Sequence, residues 1–90
     1  MFVGDVSMFF VYILYSQNLQ RYYVGSTESV EKRLQEHNTG KSKSTRGGVP
    51  WELIHTESFP TRSDAMHQEQ KIKARGIGRY LSDIKQISSG

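Results

Sequence analysis

The sequence predicts a small α+β fold, a three-stranded and mostly antiparallel sheet flanked by helices in the order β-β-α-β-α-α. Three observations lead there. Phe9 to Tyr15 is a run of aromatic and β-branched residues, and Arg21 to Gly25 returns after a short polar break, which reads as a hairpin. The later segments carry helical capping and stop residues rather than strand alternation. The chain has only 90 residues, enough for one domain with one modest core.

In order along the chain, Ser16 to Gln20 is the expected turn. A hairpin symmetric about Gln17 and Asn18 would set Tyr12 opposite Tyr23 and hence on the same face of the sheet. Gly25 follows as a tight exit where the backbone approaches closely. Ser26 or Thr27 is the expected cap of a first helix, in which Val30 and Leu34 form the apolar seam and Arg33 and His37 lie one turn apart. Asn38 and Gly40 stop it. A basic loop from Lys41 to Gly48 leads to a third strand, Trp51 to about Ser58. Thr61 or Ser63 caps a second helix that Gly76 ends, and a third begins at Gly78 or Arg79 and runs to about Ile87. This divides the chain into a poorly ordered lead-in over 1–7, a single domain over 8–87 and a tail over 88–90.

Composition excludes several function classes. Without cysteine there is no disulfide scaffold, thiolate zinc site or cysteine nucleophile, which fits a reducing cytoplasm. The strongest apolar run, Met8 to Tyr15, is far short of the roughly 20 residues a membrane span needs. No basic region precedes an apolar stretch at the N-terminus, so a signal peptide is not expected. Neither a Walker loop nor a dinucleotide fingerprint occurs, so no organic cofactor is expected, and His55 and His67 have no zinc-site spacing. The net charge is +3. Its clustering says more than its size: Lys41, Lys43 and Arg46 gather in one stretch, Lys71, Lys73 and Arg75 in another. Two basic clusters suit a phosphate-bearing partner, and solvated helix faces are the plainer alternative.

Five residues could carry chemistry. Glu69 shares a helical stripe with Ala65 and Ile72, and a carboxylate entering an apolar interface needs an ion partner or a metal. Tyr12 and Tyr23 are either packing residues or a pair of phenols aimed at one site. Arg33 offers a planar fork matched to phosphate oxygens, or is a surface charge. His37 is either a proton relay or a hydrogen-bonded structural group.

At these residues the chain resembles the GIY-YIG nuclease superfamily, and is most similar to its small stand-alone bacterial members. The likeness spans about Phe9 to Ile84. Val11-Tyr12-Ile13 stands where the first motif lies, with Phe10 in place of its glycine, and Tyr23-Val24-Gly25 matches the second. The segment from Val30 to Asn38 is similar to the helix bearing the family's arginine and histidine. The loop from Thr45 to Pro50 and the segment Glu69-Gln70-Lys71-Ile72-Lys73 match the later motifs, while no asparagine follows Asn38 as it does in many full nucleases.

The resemblance implies metal-dependent endonucleolytic hydrolysis of nucleic acid, with DNA the expected substrate. Glu69 would hold one Mg²⁺ or Mn²⁺, and Arg33 would neutralise charge on the transition state. Tyr12 would be the general base with His37 assisting, and Tyr23 would bind phosphate or position the water. Lys41, Lys43, Arg46, Lys71 and Lys73 would hold the backbone without reading sequence. Two alternatives stay open, a catalytically weak or inactive nucleic-acid-binding module using the same basic surface, and an adaptor domain.

Overall fold

The central strand is the one whose residues are apolar on both faces. In a computed structural model, which describes residues 8–89, β1 (Phe9–Ser16) lies between β2 (Arg21–Thr27) and β3 (Trp51–Phe59), antiparallel to both. Val11, Tyr12, Ile13 and Leu14 are all buried, because each face of the sheet is covered. The lead-in assigned to Met1 to Ser7 lies outside the described residues, as does Gly90.

Helix α1 (Val30–Asn38) covers one face, where Val30 and Leu34 pack with Tyr12, Leu14, Tyr23 and Trp51. Helices α2 (Arg62–Arg75) and α3 (Ile77–Ser89) cover the other, where Ala65, Ile72, Ile77, Tyr80 and Leu81 pack on Val11, Ile13 and Val24. Tyr80 donates its hydroxyl to Glu57, which also accepts from Gln68 and pairs with His55, so a polar cluster joins α2 and α3 to β3. No helix among the described residues is long and apolar enough to cross a membrane.

Several boundaries differ from expectation for local reasons. Ser26 and Thr27 do not cap α1. They pair with Val11 and Phe10 and prolong β2, and Ser29 is the cap, accepting from Lys32 N at 3.3 Å. Gly25 therefore lies within the strand rather than at its exit. Thr61 caps α2 as expected, accepting from Asp64 N at 3.0 Å. Gly76, at φ +97, takes a conformation that ends α2 at little cost only for glycine. Helix α3 begins at Ile77 and continues to Ser89, through positions assigned to the tail.

The hairpin register is also corrected. Tyr12 is opposite Gly25, and Tyr23 is opposite Leu14, because the connection is the four residues Gln17 to Gln20. The error is two residues along the strand, so the facing is unchanged and the two tyrosine rings still lie 6.2 Å apart.

A bulge in β3 has a larger consequence. Ile13 faces His55 but Leu14 faces Leu53, leaving Ile54 as the extra residue. Beyond it the strand's alternation is inverted, and Trp51 turns to the α1 face, against Tyr12 and Leu14.

Candidate functional site

A chain of three buried polar side chains runs beneath α1. His37, with no exposed surface, is placed at the end of α1 against β1. Its Nε2 lies 3.0 Å from the Tyr12 hydroxyl and its Nδ1 lies 2.7 Å from Thr45 Oγ1. Thr45 Oγ1 donates to Ser42 O at 3.5 Å, which leaves it to accept from His37 Nδ1–H. His37 Nε2 then accepts from the Tyr12 hydroxyl, and the phenol oxygen keeps its own lone pairs for another donor. Thr45 is itself fixed by Trp51, whose indole N–H donates to Thr45 O at 2.7 Å. Asn38 clamps the same corner, accepting from Trp51 N at 2.6 Å and donating to Trp51 O at 3.0 Å. The bulge thus acts on the site: it aims Trp51 at the loop that orients the imidazole.

Gly25 completes this half of the site. A Cβ there would stand 2.5 Å from Tyr12 Oη, so only a glycine lets the phenol lie across β2. Tyr23 packs its ring 4.9 Å from the His37 imidazole, edge to face.

Burial pushes the Tyr12 phenol up to about 12, with Arg33 pulling the other way and the charges of Tyr23 and Glu69 adding to the rise. Burial, then the Arg33 charge, holds His37 below its usual value. At neutral pH the phenol is therefore protonated and the imidazole neutral. The lowered His37 value has a stability consequence with a definite sign. The unfolded chain protonates at about 6.5 and the folded one only at lower pH, so stability is expected to fall as pH drops below about 6.5 and to level off under the folded value. Thermal unfolding of the native chain against His37→Gln measures it, and equal slopes in the two proteins over that window would refute it.

Glu69 approaches from the other face. It lies on α2 one turn from Ala65 and Ile72, both fully buried, as its stripe suggested. Ser26, next to Gly25 but facing α2, donates to Glu69 Oε1 at 2.9 Å. Lys73 Nζ is ion-paired to Glu69 Oε2 at 2.9 Å. Glu69 and the phenol therefore meet across the edge strand β2, where Gly25 leaves the sheet without a side chain, and the carboxylate is close enough for its charge to act on Tyr12. Arg33, half-buried on α1, donates from Nη1 to Glu36 Oε1 at 2.9 Å and stands beside Tyr12.

The five expected residues are thus brought to one region from four elements. The basic residues are scattered by comparison. Lys73 is engaged by Glu69, Lys41 lies beside Glu36, and Arg46 donates to Gly40 O. Lys43 and Lys71 are exposed. Sequence reasoning passed over Ser26 as a partner of Glu69, Thr45 as the partner of His37, and Trp51 behind it. Each is a common residue whose role exists only through contacts between distant segments.

A divalent cation would find one carboxylate here. Glu69 presents both oxygens, and Oε2 already faces a cationic group, the Lys73 ammonium, which is half-exposed and free to move aside. No cluster of three or more acidic, histidine or cysteine side chains occurs among the described residues. One carboxylate with water and substrate oxygens suits a hard cation such as Mg²⁺.

Comparison with known proteins bears on the family and the fold. Residues 8–76 match the model of the GIY-YIG catalytic domain. A UPF0213 protein of Natronomonas pharaonis is 44% identical over 66 residues, 72% of this chain and 76% of that one. One from Syntrophus aciditrophicus is 39% identical over 79 residues, covering 86% and 90%. The relatives span archaea as well as bacteria, so a bacterial origin does not follow from the likeness. The solution structure of a UPF0213 protein from Bacillus halodurans superposes with a TM-score of 0.55 at 31% identity, covering 88% of this chain and 84% of that one.

Proposed function

Because the chain belongs to the GIY-YIG catalytic-domain family, a family of nucleases, we propose that it is a metal-dependent endonuclease that hydrolyses phosphodiester bonds in DNA and acts in the cytoplasm. The observation that carries the reading is the Thr45–His37–Tyr12 hydrogen-bond chain ending beside Arg33, with Glu69 across β2.

With a neutral imidazole as acceptor, Tyr12 need not become a phenolate to act as a base. A water donating to the phenol oxygen passes it a proton while the Tyr12 proton moves to His37 Nε2, and the cost of a buried phenolate is avoided. Thr45 holds the imidazole in the tautomer that receives it. Arg33 leaves Glu36 for the phosphate oxygens, where its fork offsets the charge that grows in the transition state. Tyr23 braces the imidazole and positions the water. Glu69, oriented by Ser26, would hold one Mg²⁺ or Mn²⁺, which when bound would polarise the phosphate and stabilise the leaving oxygen.

A second reading rests on a specific observation: Arg33 and Glu69 each already have an internal partner, Glu36 and Lys73. If those pairs persist on substrate, the protein grips nucleic acid without cutting it. Incubation with labelled single-stranded, duplex and branched DNA, and with RNA, in Mg²⁺, Mn²⁺ or EDTA separates the two. Metal-dependent cutting that is lost in Glu69→Gln, with binding retained, is the expected outcome. Retention of substrate without cutting by the native chain in either metal overturns the nuclease reading.

A further inference from the structure

A groove of about 600 Å³ opens beside the site, from Ser26 past Ser29, Lys32 and Arg33 to Arg62. A second of about 300 Å³, bounded by Gln35, Thr39 and Lys41, shares Lys32 and Glu36 with it. The two form one track along the exposed side of α1, and the track begins at the residue that orients Glu69. Four cationic side chains line it. Arg62 is held over the Phe9 ring at 4.9 Å and by Glu28 at 2.9 Å, and Arg33 is held by Glu36. Lys32 and Lys41 make no ion pair among the described residues.

Glu36 is the anion in the middle of this track. Its hydrogen bond from Arg33, and then the charges of Arg33, Lys41 and Lys32, hold its carboxyl below the usual carboxylate range. One acidic group facing an arginine fork and two lysines has the surroundings that a phosphate would have.

We propose that this track seats the phosphodiester backbone flanking the scissile bond, and that Glu36 is a resident anion which a backbone phosphate displaces from Arg33. The proposal rests on the nucleic-acid reading above and extends it to Lys32, Arg62 and Glu36, none of which the sequence motifs single out. Its physical content is a competition. While Glu36 holds Arg33 and Glu28 holds Arg62, two of the four cationic charges are offset, so the track grips less tightly than its lysines and arginines would allow. A phosphate arriving in register takes the fork, and Glu36, at the rim of the groove, turns to water.

Fluorescence anisotropy with a labelled DNA duplex in EDTA, over a range of KCl concentrations, tests this apart from catalysis. Glu36→Gln is expected to bind about two- to fivefold more tightly, with a salt slope steeper by about one. Lys32→Gln is expected to bind more weakly with a slope shallower by about one. Lys85→Gln, on α3 across the sheet, is expected to match the native chain. Unchanged or weaker binding by Glu36→Gln would make Glu36 a mere orienting partner of Arg33 and overturn the proposal. So would equal effects of Lys32→Gln and Lys85→Gln, or no binding by the native chain at low salt. Cutting by the native chain with none of these shifts removes the track and leaves the nuclease; the shifts without cutting do the reverse.

Discussion

Arg33→Ala is expected to slow cleavage by about 10²- to 10³-fold while leaving the fold intact. The stability side follows from position. Arg33 is half-buried on α1 and its ion pair with Glu36 joins residues one turn apart on a single helix, so its removal costs no ion pair between elements and leaves the apolar packing in place. The catalytic side follows from what stands near Tyr12. Among the described residues, Arg33 is the cation that acts on the phenol, and it presents a planar fork there. Arg33→Lys keeps the charge but loses the fork, so it is expected to restore only a small part of the rate. Single-turnover kinetics read the chemical step directly. An Arg33→Ala protein cutting within tenfold of the native rate would take this residue out of the transition state.

Gly25→Ala is expected to destabilise the domain by about 1–3 kcal/mol and to abolish most activity, through a contact in the middle of the sheet. The new Cβ would lie 2.5 Å from Tyr12 Oη and 2.8 Å from its Cζ, far inside van der Waals contact, and Tyr12 is packed with 1% of its surface exposed. The ring must move, and its hydroxyl then leaves His37. Tyr12→Phe alone leaves His37 Nε2 buried without a donor, at about 1–3 kcal/mol. The double variant Gly25→Ala/Tyr12→Phe removes the atom in closest conflict and is expected to cost less than the two single changes together. Additive losses in thermal or urea unfolding would show that the ring and the glycine do not share one space.

Much of this site was legible in the sequence because its elements carry local signals. Glu69 was placed on the inward stripe of α2 by spacing from Ala65 and Ile72, and the structure finds it there, beside two fully buried residues. Thr61 and Gly76 bounded that helix as their capping chemistry requires. Tyr12 and Tyr23 fell on one face despite a misjudged turn, since alternation survives a shift of two residues. The cap of α1 was misplaced because Ser26, Thr27 and Ser29 are equally good caps in isolation. Strand pairing with Val11 and Phe10 removed the first two from consideration.

The sequence by itself determined the order of elements and the set of chemically capable residues. These depend on periodicity and on the properties of single side chains. Only the tertiary structure decided which of those residues meet. Glu69 comes close enough for its charge to act on Tyr12, Gly25 leaves the phenol its room across β2, and Ser26 donates to the carboxylate. His37 receives its tautomer from Thr45, which Trp51 holds, and Trp51 faces the site only because one extra residue at Ile54 inverts the alternation of β3. A bulge is chosen by the pairing of two distant strands and by the packing on both faces, and no local stretch of sequence contains that information.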